Sequence, residues 1–262
     1  MFRFRHAMFG FASTALAALL PAHAGSPATC HAATGPQRGA LLELYTSEGC
    51  SSCPPADRWF AGVAAAADPA KLSLLAFHVD YWDSLGWPDR FGRGTFSERQ
   101  RSRVQQAGSR AVYTPQVMFD ERVGFPWDSS AALYALHAAR LPSTVNLAVE
   151  ARRKGEGLDV DLKAVPVARA LPASALYLAL YENGLSTQVK AGENGGVLLR
   201  HERVVRGLLG PFPLSGGAWG RSLHMAVPSD AHADRIGLTA FVQNAKGDTL
   251  QALTVPLAGC PR

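Results

Sequence analysis

Y-T-S-E-G-C-S-S-C-P-P-A-D, residues 45–57, is the stretch from which the expected fold is built. It follows an apolar run, Leu41–Tyr45, and leads into an alanine-rich segment, Asp57–Ala67. The run is typical of a strand and the segment of a helix, so Cys50 and Cys53 fall at the turn between them. Backbone N–H groups at a helix start favour a thiolate, and a second cysteine three residues on can close a disulfide with it.

The first 24 residues have the pattern of a secretory signal peptide. Arg3 and Arg5 precede a hydrophobic run, Phe9–Leu20, and Ala22-His23-Ala24 offers a small-x-small cleavage site. The run is too short to span a bilayer. We therefore predict a signal peptide over residues 1–24 and a mature protein that is periplasmic or secreted, with no membrane span after cleavage.

Charge and composition argue against a nucleic-acid partner. The full chain has 26 Lys and Arg against 21 Asp and Glu, a formal net charge of +5. The arginines are scattered and form no run with interleaved aromatic residues, which is the pattern of nucleic-acid-binding segments. The chain beyond the signal peptide is long enough for one large domain or two small domains with real cores.

All four cysteines lie beyond the predicted signal peptide, and an even count in an exported protein favours disulfides. Four cysteines allow three pairings. The close pair Cys50/Cys53 leaves Cys30 and Cys260, one near each end of the mature chain. We expect a structural Cys30–Cys260 bridge that ties an N-terminal arm, residues 25–38, to the C-terminal tail and restricts the unfolded chain.

The segment after the cysteine motif is consistent with a βαβ unit. Leu72–Val79 is almost continuously apolar, as a buried parallel strand would be. A polar, aromatic and glycine-rich insertion follows at Asp80–Arg110, with a helix predicted over Ser97–Gln106. Further elements are predicted at residues 113–119 (a Thr-Pro step into a strand), 122–125 (its hairpin partner) and 129–140 (a helix).

From Pro142 onward the pattern changes to short strands separated by turn residues such as Asn183-Gly184. The predicted strands are residues 145–151, 158–164, 175–182, 197–205, 222–227, 236–243 and 250–255. Seven short strands with this spacing predict an antiparallel β-sandwich.

The order strand, Cys-x-x-Cys at a helix start, strand, helix and Thr-Pro before a strand resembles a thioredoxin-like domain. More closely, G-C-S-S-C-P-P-A-D, H-V-D-Y-W-D-x-L-G-W and Y-T-P-Q resemble the bacterial family of domains of unknown function numbered 1223. The resemblance extends from about Leu41 to the C-terminus, counting E-N-G-L and G-E-N-x-G. It implies export and a thioredoxin-like fold. Together with the strand pattern, we therefore expect an α/β thioredoxin-like domain over residues 39–141, with the insertion at 80–110, followed by a β-sandwich-like domain over 142–262.

Roles at the cysteine pair follow from position and from this resemblance. Cys50, earlier and nearer the helix start, is the expected attacking thiolate, and Cys53 resolves the mixed disulfide. The resemblance implies that Pro115 is a cis-proline packed against the pair. It also places Glu43 close to the position where thioredoxin-like proteins keep a buried acid beneath the disulfide, and a raised pKa there would suit proton transfer to or from Cys53. Alternatively, Glu43 faces a basic partner or solvent.

The predicted substrate-binding residues are Tyr81 and Trp82, in the insertion, and Thr114, before the proline. Insertions beside a redox site commonly shape the substrate groove. The alternative for Trp82 is that it only packs against its neighbours.

Two functions are carried forward. The first is a thiol–disulfide oxidoreductase that acts on exported proteins or on small thiols and disulfides, with no cofactor beyond the cysteines. The alternative is a periplasmic copper- or partner-binding module without turnover, in which Cys50, Cys53 and His78 hold the metal. Against it, a lone histidine in an apolar strand is commonly a hydrogen-bonded core residue. A third interpretation makes the pair a stabilising disulfide and the C-terminal region the functional part.

Overall fold

The computed structural model describes residues 1–2, 29–129, 141–167, 171–258 and 260. Almost all of the predicted signal peptide, with its cleavage site, lies outside these residues, as does the helix predicted over 129–140 except for its first residue. Within the described ranges, no helix is long and apolar enough to cross a membrane.

The described residues form fourteen strands, two α-helices and one short 3-10 helix. The strands are β1 (Cys30–Ala33), β2 (Ala40–Thr46), β3 (Leu72–His78), β4 (Gln116–Phe119), β5 (Arg122–Val123), β6 (Val145–Lys154), β7 (Gly157–Pro166), β8 (Ser174–Glu182), β9 (Leu185–Gln188), β10 (Leu198–His201), β11 (Val204–Leu214), β12 (Trp219–Ala226), β13 (Ile236–Asn244) and β14 (Thr249–Pro256). The helices are α1 (Pro54–Ala66) and α2 (Gly94–Gln106), and the 3-10 helix spans Asp83–Leu85.

Helix α1 begins directly after the cysteine motif, because two prolines occupy a first turn whose N–H groups have no helical partner. Its buried residues Ala56, Phe60 and Val63 recur at helical spacing and pack against the apolar face of β2 and β3. Strand β3, buried along its whole length, lies parallel to β2, and the two strands end together at Thr46 and His78. The cysteine motif therefore starts at the carboxyl end of β2.

The described strands assemble into three sheets. The largest has eight strands in the order β14-β13-β8-β11-β3-β2-β4-β5, the second has four in the order β1-β6-β7-β12, and the third is the β10-β9 hairpin. One aliphatic cluster is shared by the two larger sheets, with Val149 and Leu162 from one and Leu178 and Leu238 from the other. This cluster is the main core of the molecule.

The expected fold class, an α/β thioredoxin-like domain followed by a β-sandwich-like domain, is wrong. The described chain is mostly β-sheet, and β11 joins β3 in parallel at Val204↔Ala76. Through β11, strands β8, β13 and β14 extend the sheet that carries the cysteine motif. The expectation failed because periodicity identifies a strand, whereas the edge that a strand joins depends on contacts between segments far apart in the chain.

A buried ion cluster fixes α2 to this sheet. Glu43, on β2, accepts hydrogen bonds from Nε of Arg99 (3.1 Å) and from Nε of Arg103 (3.1 Å). Arg103 also donates to the backbone carbonyls of Asp120 (2.8 Å) and Gly247. Burial raises the pKa of Glu43, but the two guanidinium groups outweigh burial and hold that pKa below its usual value. The helix is thus held by buried charge as well as by packing.

We expect Arg103→Met to lower the free energy of unfolding by roughly 3–5 kcal/mol, because it leaves buried acceptors without their cation. Urea denaturation measures the loss. The matched control is Arg152→Met, whose surface pairs with Glu150 and Asp161 are about one-third exposed and should contribute no more than about 1 kcal/mol. Equal effects of the two substitutions would contradict the assignment.

Candidate functional site

The cysteine motif forms a tight turn between β2 and α1. Cys50 and Cys53 are disulfide-bonded, with their Cα atoms 5.4 Å apart, and Cys53 is the N-cap residue of α1. Both cysteines are fully buried, whereas the two serines between them are exposed. Cys30 and Cys260 form the second pair, with Cα atoms 5.7 Å apart. The chain therefore brings together both cysteine pairs that the sequence predicted.

An acid lies in the first turn of α1, four residues after Cys53. Asp57 donates its backbone N–H to the carbonyl of Cys53 (3.1 Å), and its side chain accepts a hydrogen bond from Oγ1 of Thr46 (2.9 Å). Residues four apart on a helix share a face, which puts the Asp57 side chain on the same side as Cys53. Burial raises the pKa of Asp57, and its neighbours offset this only in part. Asp57 is thus able to hold a proton at a higher pH than an ordinary carboxyl.

A buried histidine–aspartate pair lies behind the turn. Nδ1 of His78 is 2.6 Å from Oδ2 of Asp89, and both side chains are completely buried. The same carboxylate accepts the backbone N–H groups of Glu48 (2.9 Å) and Phe91 (2.9 Å). Burial opposes charge on both groups, but their mutual attraction outweighs it. The pKa of Asp89 is lowered to about 2 and that of His78 is raised.

A second acid–histidine pair adjoins the first. Oε1 of Glu48 lies 3.3 Å from Nε2 of His201, and Oε2 accepts a hydrogen bond from the indole N–H of Trp87 (2.9 Å). The rings of His78 and His201 are in edge-to-face contact, with centroids 4.8 Å apart. Burial raises the pKa of Glu48, but His201 and the other donors outweigh burial, so that this pKa lies below its usual value. The residue two before Cys50 is therefore a buried carboxylate.

The connection between β9 and β10, residues 189–197, contacts the cysteine turn directly. The side-chain amide of Asn194 is buried and donates to the carbonyls of Glu48 (2.9 Å) and Cys50 (3.0 Å). The carboxylate of Glu193 accepts the backbone N–H of Ser51 (3.1 Å). A segment more than 140 positions away in the sequence thus holds the backbone on both sides of Cys50.

Thr114 and Trp82, two of the predicted substrate-binding residues, lie at the motif. The hydroxyl of Ser52 donates to the carbonyl of Thr114 (3.4 Å), and the indole N–H of Trp82 donates to Oγ1 of Thr114 (2.7 Å). The peptide bond from Thr114 to Pro115 is cis. Tyr81 is further out, with its ring centroid 6.5 Å from that of Trp82 and its hydroxyl bonded to α2.

Two candidate residues are placed elsewhere. Glu43 faces α2 and its arginines, and its pKa is lowered, so its surroundings match the alternative of a basic partner. The acid in the helical turn that follows Cys53 is Asp57. His78 is bonded to Asp89 rather than grouped with Cys50 and Cys53, as the copper alternative requires. Among the described residues no group of three or more His, Cys, Asp or Glu side chains is arranged to hold a metal ion.

Sequence reasoning missed most of the polar side chains that surround the disulfide. The missed residues are Glu48, Asp57, Asp89, Glu193, Asn194 and His201. Signals for some of them were present, because Asp57 ends the cysteine motif and Glu193 and Asn194 belong to G-E-N-x-G. Their association with Cys50 depends on chain pairing that local patterns do not contain.

The pairing of Asp89 with His78 predicts an acid-dependent loss of stability. Because the pKa of Asp89 is about 2 against an ordinary 3.8, its contribution is present above about pH 4 and is lost as pH falls towards 2. That contribution is on the order of 2 kcal/mol. His78 has the opposite sign, since a raised pKa stabilises below the ordinary value of 6.5 and the contribution disappears as pH rises through the folded value.

Urea denaturation between pH 2 and 6 tests this on the wild type and Asp89→Asn. The variant should be less stable near pH 5 and should lose less further stability on acidification. Asp234→Asn removes an exposed carboxylate and serves as the control, with a curve parallel to the wild type. Parallel curves for Asp89→Asn as well would contradict the proposed linkage.

Comparison with known structures places the fold among solved proteins. The crystal structure of an Agrobacterium tumefaciens protein is 22% identical with a TM-score of 0.57, covering 85% of this chain and 96% of the other. HBP35 of Porphyromonas gingivalis is 14% identical with a TM-score of 0.65, covering 87% of this chain and 78% of the other. At these identities the likeness shows a shared fold.

Comparison with known sequences identifies the family. A search of curated proteins gives no match. The family model described as "Protein of unknown function (DUF1223)" matches residues 41–243, which include the cysteine motif, both histidine–acid pairs and the 189–197 connection. The chain therefore belongs to the DUF1223 family.

Proposed function

We propose that this chain is an exported thiol–disulfide oxidoreductase whose Cys50–Cys53 pair exchanges with thiols or disulfides of protein or small-molecule substrates. The observation that carries the proposal is the position of the disulfide at the N-terminus of α1, with the buried acid Asp57 in the same helical turn. Helix N-terminal N–H groups stabilise a thiolate at Cys50 once the bond is reduced.

In the oxidising direction, a substrate thiolate attacks Sγ of Cys50. A bond forms between the two sulfurs, the Cys50–Cys53 bond breaks, and Cys53 leaves as a thiolate that takes up a proton. A second substrate thiolate then attacks the substrate sulfur of the mixed disulfide and releases Cys50. Two electrons pass from the substrate dithiol to the cysteine pair, and the substrate leaves as a disulfide. The same steps in reverse reduce a substrate disulfide at the expense of the protein dithiol.

Asp57 is the proposed proton donor to the departing Cys53 sulfur. It lies four residues after Cys53 on the same helix face, and its raised pKa favours the protonated carboxyl. The hydroxyl of Thr46 donates a hydrogen bond to Oδ1 of Asp57 and orients the carboxyl group. A general acid works best when its pKa is close to the ambient pH, and burial moves this carboxyl in that direction.

Hydrogen bonds from the surrounding side chains keep the cysteine turn in one conformation. Asp89 and Asn194 hold the backbone of Glu48, and Asn194 also holds the carbonyl of Cys50. Reaction geometry is maintained best when the reacting groups are fixed by a supporting shell of hydrogen bonds. Because both sulfurs are fully buried, exchange also requires local opening of the turn. Such an opening costs less free energy than global unfolding.

Equilibration of the mature protein with a series of glutathione redox buffers tests the function. We expect a reversible transition of the Cys50–Cys53 pair, and we expect reduction of insulin disulfides that is abolished in Cys50→Ser. The control is the double variant Cys30→Ser/Cys260→Ser, which removes the other bridge and should retain exchange. A pair that stays oxidised across the whole buffer series would overturn the proposal.

The copper alternative is decided by Cu(I) titration of the reduced protein. Tight binding in the wild type that Cys50→Ser and His78→Ala both abolish, together with an absence of disulfide exchange, would replace the redox proposal by the metal-binding one. Exchange without such binding would favour the oxidoreductase.

Substitution of the proposed acid should slow exchange. We expect Asp57→Asn to lower the rate of reduction of the pair at neutral pH by about 10²-fold, the lower end of typical general acid–base contributions. Stopped-flow reduction with a dithiol measures the rate. Asp68→Asn, just beyond the other end of α1 and paired with Lys71 on the surface, is the control and should leave the rate unchanged. Equal rates for Asp57→Asn and the wild type would remove Asp57 from the mechanism.

A further inference from the structure

The backbone N–H between the two cysteines is already occupied. Ser51 donates this N–H to Oε2 of Glu193 at 3.1 Å, across 142 positions of sequence. Glu193 is exposed, and the hydrogen bond from Ser51 lowers its pKa, so that the carboxylate is ionised at neutral pH. A negative charge therefore lies one residue from Cys50.

The Glu193 carboxylate is held in place by the packing of its own connection. The next residue, Asn194, is buried and donates to the carbonyls of Glu48 and Cys50. On the other side, Gly192 has a φ of 71° and lies so close to Trp87 that an added Cβ would be 3.0 Å from the Cβ of that tryptophan. The backbone at Glu193 is thus fixed on both sides, and its side chain contacts the cysteine turn even though it is open to solvent.

This contact affects the two redox states differently. A disulfide carries no charge, so the nearby carboxylate does little to its stability. In the reduced pair a Cys50 thiolate would draw on the free N–H groups of the turn, as thiolates at helix starts do. Glu193 removes the Ser51 N–H from that set and adds a like charge, and both effects disfavour the thiolate. Pairs whose reduced form is stabilised are strong oxidants, and here the reverse applies.

We propose that Glu193 is a positioning residue that sets the redox equilibrium of the Cys50–Cys53 pair. It occupies the Ser51 N–H, which a Cys50 thiolate would otherwise use, and its negative charge repels that thiolate. The inference rests on the proposed oxidoreductase function and assigns the direction in which that function is tuned. With Glu193 in place, the disulfide is favoured and the dithiol is the better reductant. The substrate class that fits is a disulfide to be reduced or isomerised, with electrons supplied by a dithiol donor.

The test is the equilibrium of the pair with glutathione in wild type, Glu193→Gln and Glu193→Ala. Glutamine keeps a hydrogen-bond acceptor for Ser51 but removes the charge, whereas alanine removes both. We expect the equilibrium constant to move towards the dithiol by about three- to tenfold in Glu193→Gln, which corresponds to about 14–30 mV, and further in Glu193→Ala. Alkylation of Cys50 in the reduced protein should become faster in the same order, because more of it is thiolate.

Glu202→Gln is the matched control. Its carboxylate likewise accepts a backbone N–H, but from Gly184 at 3.1 Å rather than from a residue of the cysteine turn. It should leave the equilibrium and the alkylation rate unchanged. Urea denaturation of the oxidised proteins separates tuning from stability, since an exposed substitution such as Glu193→Gln should change the free energy of unfolding by no more than about 0.5 kcal/mol.

The outcomes separate the two proposals. If the wild-type pair equilibrates with glutathione but Glu193→Gln behaves as Glu202→Gln does, or moves towards the disulfide, the role of Glu193 is overturned and the redox function stands. If the wild-type pair does not equilibrate at all, the oxidoreductase proposal fails and the inference falls with it.

Discussion

The site depends on one strand pairing, the parallel contact between β11 and β3 at Val204 and Ala76. The N–H of Ala76 donates to the carbonyl of Arg203 at 2.9 Å, and this bond positions the end of the β9–β10 hairpin beside β3. His201 then meets the ring of His78, and the connection before β10 reaches the cysteine turn. Without this pairing the first half of the chain would carry the disulfide, but Glu193, Asn194 and His201 would not reach it.

Buried charge gives the site its character. Charges removed from water are costly unless they are paired and hydrogen-bonded, and the carboxylate of Asp89 meets that requirement through His78 and two backbone N–H groups. Asp57 is different, because its partner Thr46 is a neutral hydroxyl and its pKa is raised rather than lowered. One carboxyl with a raised pKa beside acids with lowered pKa values is the arrangement expected where a proton is transferred.

Local structure followed closely from local sequence. The strand before the motif, the helix after it and the buried strand β3 could be predicted because apolar spacing and proline position act within a few residues. The two cysteine pairs were also predictable. Once Cys50 is paired with Cys53, Cys30 and Cys260 have only each other as partners. Glu43 shows the limit of this reasoning. Its spacing from Cys50 in the sequence suggested an acid near the disulfide. Side chains alternate between the two faces of β2, however, and that of Glu43 lies on the face that packs on α2.

The sequence by itself determined the cysteine turn, its helix and most of the strands, because these depend on propensity and periodicity over short distances. Only the tertiary structure decided that strands of both halves form one eight-stranded sheet, since that depends on which strand pairs with which sheet edge. It alone also brought Glu193, Asn194 and His201 to the cysteines. Their side chains act through distances of about 3 Å, and residues that far apart in a chain come so close only after the sheet has formed.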